Sequence, residues 1–129
     1  MNTKLLMSCS AAVMGITAIA FTFFPQEFAS YFKLPDASII LLQLLGGLYF
    51  GFAILNWSAK GNLMGGIYSR PVAIGNLAHF VVGGLALLKF VTRNTTASCV
   101  WIAVILYSVF AIFFGIVVFT SPAMKSKIV

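Results

Sequence analysis

Asn56-Trp-Ser-Ala-Lys-Gly-Asn-Leu-Met-Gly-Gly-Ile-Tyr-Ser-Arg-Pro71, followed by Val72-Ala-Ile-Gly-Asn-Leu-Ala-His79, is the longest polar, glycine-broken connection in an otherwise apolar chain. It closes one long apolar run and opens another, which holds the only histidine. Trp57 and Tyr68 flank the connection and read as anchors at a membrane–water interface, where amphipathic rings collect. Pro71 suits the first turn of a new helix, where its missing N–H costs nothing. Gly65 and Gly66 let the backbone fold back between the two runs.

Outward from this stretch the chain resolves into four apolar runs, at about 5–24, 39–57, 71–90 and 99–120. Each approaches the ~20 residues that a helix needs to cross a hydrocarbon core of about 30 Å. The composition agrees. The chain is 61% hydrophobic and 8% charged, against roughly 25% charged in soluble domains. The expected fold class is all-α: an integral membrane four-helix bundle, with residues 1–129 forming a single transmembrane domain.

The first run, Leu5 to Phe24, imitates a secretory signal, with Lys4 before it and Ala18-Ile-Ala20 resembling a cleavage site. The apolar run continues through Phe21-Thr-Phe-Phe24 without a polar break, so it reads as a retained span. Pro25 ends it. Between spans 1 and 2 comes Gln26-Glu-Phe-Ala-Ser-Tyr-Phe-Lys-Leu34, with Phe28, Tyr31 and Phe32 on one face. This predicts a short interfacial helix. Asp36-Ala-Ser38 offers an N-cap for the second span. Asn94 to Ser98 forms a polar turn before the fourth, and Ser121-Pro122 stops that one.

The formal net charge is +6. The basic residues stand singly at the ends of apolar runs, where they meet lipid phosphates, and no basic–aromatic cluster for nucleic acid is present. Placing the N-terminus inside puts Lys4, Lys60, Arg70, Lys125 and Lys127 inside, with Lys33, Lys89 and Arg93 outside. Five against three favours N-in, C-in. Cys9 and Cys99 lie near the starts of the first and fourth spans, hence on opposite membrane sides, and are not expected to pair.

At 100° per residue each span shows a face of small or polar residues. These are Ser8, Ala11, Ala12, Gly15, Ala18 and Thr22 in the first span, and Gln43, Gly47 and Gly51 in the second, with Gly46 at its margin. The third has Val72, Gly75, Asn76, His79, Gly83 and Ala86. The fourth has Ala103, Tyr107, Ala111 and Gly115. Small residues let membrane helices approach closely, so Gly15, Gly47, Gly51, Gly83 and Gly115 are the expected packing glycines. Tyr49 and Asn56 share the opposite face of the second span, and which of its two faces meets His79 stays open. Gln43-Leu-Leu-Gly-Gly-Leu48 echoes Phe80-Val-Val-Gly-Gly-Leu85 over six low-complexity residues, which reads as chance.

Polar side chains inside lipid are costly unless partnered, and are functional candidates for that reason. The candidate ligand-binding residues are Arg70, Asn76, His79, Tyr107 and Gln43. No catalytic residue and no metal ligand is assigned, and no cofactor is expected. There is one histidine, no carboxylate within a span and no Cys-x-x-Cys. An enzymatic reading would rest on His79 alone.

The residues Leu45-Gly-Gly-Leu-Tyr-Phe-Gly-Phe-Ala-Ile-Leu-Asn-Trp-Ser-Ala-Lys-Gly61, Gly65-Gly-Ile-Tyr-Ser-Arg-Pro71 and Gly75-Asn-Leu-Ala-His-Phe80 resemble a family of small bacterial four-span membrane proteins, a domain of unknown function. The resemblance runs from about Leu45 to Leu88. It implies a four-helix membrane fold and carries no activity or ligand across. The expected protein is a non-enzymatic, structural or partner-interacting bundle of the bacterial inner (plasma) membrane. Its expected partners are membrane lipid and a second copy or another membrane protein. The alternative is binding or transport of a lipid or small apolar ligand at a site near His79 and Arg70.

Overall fold

The computed structural model describes residues 2–62, 69–93 and 98–120. Among the described residues there are five helices and no strand: α1 (Thr3–Phe23), α2 (Pro25–Tyr31), α3 (Ser38–Ala59), α4 (Arg70–Arg93) and α5 (Ser98–Thr120). α1, α3, α4 and α5 are long and apolar enough to cross a membrane. The expected turn at 94–97, the residues Gly65, Gly66 and Tyr68, and the Ser121-Pro122 stop with its lysines lie outside the described residues.

The chain divides into two compact units, Met1–Gly61 and Asn62–Val129. In the first, α1 packs on α3, and α2 touches both. α1 starts at Thr3 rather than Leu5 because Asn2 caps it: the Asn2 Oδ1 accepts from the Leu5 N–H at 3.2 Å. α1 buries Met7, Ser10, Ala11, Met14 and Ala18, and α3 answers with Gly46, Ala53, Asn56 and Ala59. These follow the three- and four-residue spacing of a single helix face. The helices run antiparallel, since Ser10 meets Asn56 and Thr22 meets Gly46.

α2 turns the chain between them. Pro25 opens it at a position that needs no N–H donor. Phe28 packs edge-on against Phe21, with ring centroids 5.0 Å apart. The helix ends because Lys33 adopts a left-handed backbone, φ 54°. The Leu34 N–H then reaches back to the Ala29 carbonyl at 2.8 Å, and the Lys33 N–H to that of Ser30 at 3.2 Å. This paired closure satisfies carbonyls that a helix end otherwise leaves open.

The entry to α3 differs from expectation. Neither Asp36 nor Ser38 caps the helix through its side chain. Ala37 occupies the cap position with a right-handed helical backbone and makes no side-chain cap bond. The leading N–H groups are met by backbone instead: Ser38 N–H donates to Pro35 O at 2.8 Å and Ile39 N–H to Asp36 O at 3.1 Å. A tight turn running straight into the helix occupies the two donors nearest the carboxylate.

In the second unit α4 packs on α5. α4 buries Ala73, Asn76, Phe80 and Val91. α5 buries Val100, Val104, Tyr107, Phe110, Phe114 and Val117. Away from these seams the long helices carry exposed apolar side chains along their length. Ile16, Leu41, Leu44, Val82, Leu85, Ile102, Ile112 and Phe119 are each more than 60% exposed. Cys9 and Cys99 are exposed free thiols.

Candidate functional site

The second unit brings two of the candidate residues together. His79 Nε2 and Tyr107 Oη stand 3.3 Å apart, within hydrogen-bonding distance, the donor depending on the imidazole tautomer. Their rings are tilted at 42° with centroids 5.6 Å apart. The pair arises from register. α4 and α5 are antiparallel, and Gly83 lies one turn beyond His79 on the same side of α4. A Cβ at Gly83 would stand 2.6 Å from Tyr107 Cε1, so only a glycine leaves room for the ring. The missing side chain at Gly83 seats the tyrosine whose hydroxyl meets His79.

Aromatic rings fill the seam beside this pair. Phe80 contacts Tyr107 edge-on at 5.2 Å and stacks on Phe110 at 4.8 Å. It also stacks on Phe114 at 5.8 Å. Phe80 and Phe114 are almost wholly buried. Such offset contacts add about 0.5–1.5 kcal/mol per pair beyond the area they bury. On α5 the expected packing glycine is less closely engaged than Gly83: Gly115 makes only an ordinary contact with Leu77, at 3.8 Å.

Asn76 is fully buried, and its Nδ2 donates to the Val72 carbonyl of its own helix at 2.9 Å. Arg70 is the first residue of α4 and is exposed. At 1.5 Å and 100° per residue, His79 lies about 13 Å along the helix from Arg70 and roughly half a turn around it. Those two side chains do not converge. Gln43 is exposed on α3, in the first unit.

The first unit holds a polar centre that the candidate residues omit. Asn56 is fully buried and donates through Nδ2 to Ser10 Oγ at 3.1 Å and to Met14 Sδ at 3.7 Å. Ser10, also fully buried, donates to the Met7 carbonyl at 3.0 Å. The available signal was the spacing of Gly46, Tyr49, Ala53 and Asn56, which share one face. Close helix approach occurs at Gly46. A Cβ there would stand 2.5 Å from Thr22 Oγ1 and 3.1 Å from both Ala18 O and Thr22 N. Gly15 makes an ordinary contact with Ala53 Cβ at 3.8 Å, while a Cβ at Gly47 or Gly51 would meet nothing within 4 Å.

Among the described residues every buried side-chain nitrogen or oxygen has a hydrogen-bond partner. Among the same residues no group of three or more His, Cys, Asp or Glu side chains comes together as a metal site. His79 faces a phenol, and the only two acids are Glu27 on α2 and Asp36 just before α3. Comparison with protein-family models, with curated proteins and with solved structures finds no match to this chain.

Proposed function

We propose that this chain is a four-span protein of the bacterial inner membrane, with both termini inside, and that it works by helix association rather than by catalysis. On this reading it is a structural or partner-interacting bundle with α2 lying in the membrane interface. The four long helices have 21 to 24 residues, about 32–36 Å at 1.5 Å per residue, which suits a hydrocarbon core of about 30 Å with modest tilt. Their outward leucines, isoleucines and phenylalanines form continuous apolar surfaces that water would penalise and lipid accepts.

The observation that carries the non-enzymatic reading is the engagement of the only histidine with Tyr107, against a seam filled by phenylalanine rings. An imidazole used in this way holds helices together. Complementation of a deletion strain tests the reading. His79→Ala is expected to restore the wild-type phenotype at normal protein levels. A variant that keeps its fold and membrane level yet fails to complement would overturn it.

A further inference from the structure

One end of the first unit carries a headgroup selectivity that the membrane reading, on which this inference rests, leaves unassigned. The Ser10–Asn56 bond sets the register of α1 on α3. Because the helices are antiparallel, Lys4 stands about 9 Å beyond that bond and Lys60 about 6 Å beyond it, in the same direction. Trp57 lies between, 56% exposed. Lys60 Nζ sits over the Trp57 ring, 2.8 Å from its centroid. Both acids of the chain are at the opposite end of the unit, Glu27 on α2 and Asp36 before α3. The unit is therefore polarised, with two lysines and an indole at one end and both carboxylates, with the single Lys33, at the other.

We infer that the Lys4–Trp57–Lys60 end is a binding surface for anionic phospholipid headgroups, selected over zwitterionic ones. An exposed indole at a helix end settles at headgroup depth. The cation–π contact holds the Lys60 ammonium at that depth. No carboxylate in the first turn of α1 or the last turn of α3 competes for either lysine. A lysine at an anionic surface favours it by about fivefold.

Bromolipid quenching of Trp57 tests this. Trp101→Phe leaves Trp57 as the single indole. The full chain is placed in equimolar phosphatidylcholine–phosphatidylglycerol vesicles, with bromine on one lipid at a time. Brominated phosphatidylglycerol should quench as a preferred neighbour, with a relative association of about fivefold or more. Lys4→Gln with Lys60→Gln should bring the ratio to about one, and Lys60→Arg alone should retain the preference. Equal quenching by both lipids with the lysines present overturns the inference but leaves the membrane reading standing. So does a preference that survives removal of both lysines. Quenching by neither lipid overturns both.

Discussion

Asn56 Nδ2 donates to Ser10 Oγ at 3.1 Å, tying α3 to α1 across a seam that also holds Met7, Ala11, Met14, Ala18, Gly46, Ala53 and Ala59. In lipid, such an amide gains nothing from sitting in this seam unless it is paired. The bond therefore selects one register of two helices whose outer faces are largely apolar. Asn56→Ala is expected to cost about 2 kcal/mol, from the lost bond plus the cavity left behind. Ser10→Ala should cost only about 0.6 kcal/mol, because the hydroxyl carries one interhelical bond and little volume. Unfolding by dodecyl sulfate in mixed micelles measures both.

Gly46 and Gly47 are neighbours with opposite expectations. A methyl at Gly46 meets Thr22 and the Ala18 carbonyl, whereas one at Gly47 meets open space. Gly46→Ala should destabilise the first unit by about 1–3 kcal/mol, the usual cost of overpacking. Gly47→Ala should leave its stability unchanged or raise it slightly, since alanine loses less entropy in a helix. The same unfolding titration separates the two.

Lys33 closes α2 in a left-handed backbone. A side chain there costs roughly 1–2 kcal/mol that glycine avoids. Lys33→Gly should accordingly stabilise the chain by about 1 kcal/mol. A higher midpoint in thermal unfolding followed by circular dichroism is the expected result.

Single cysteines report sidedness. In a Cys9→Ala, Cys99→Ala background, Asn2→Cys should react with an impermeant maleimide only in inside-out vesicles. Asp36→Cys should react only in right-side-out ones. The expectation follows from the positive-inside bias and from the antiparallel packing of α1 on α3.

The helices were legible in the sequence because their signals are strong. Long apolar runs, Pro25 and Pro71 mark them without reference to tertiary contacts, and α2 is announced by Phe28 and Tyr31. Which face packs was far less legible. α3 carries glycines on two sides, and smallness alone does not separate Gly47 and Gly51 from Gly46. The polarity contrast that marks the inner face of a soluble helix is missing when the outer face is apolar too. For the same reason α5 packs through Phe110 and Phe114, next to the aligned small residues Ala103, Ala111 and Gly115. His79 and Tyr107 stood out as polar groups in apolar runs. Their pairing depends on the register of α4 against α5, which only the packing of Gly83 beneath the tyrosine supplies. Asn56 was visible as an amide on the Tyr49 face, but its partner Ser10 lies 46 residues away, beyond any local pattern.

On the proposed reading the histidine holds α4 to α5 through Tyr107. A double-mutant cycle of His79→Ala and Tyr107→Phe, read by unfolding in mixed micelles, tests it most directly. A favourable coupling of about 0.6 kcal/mol, and up to about 1.7, is expected, the range of interhelical hydrogen bonds in membranes. Additive losses with no coupling between the two side chains would contradict it.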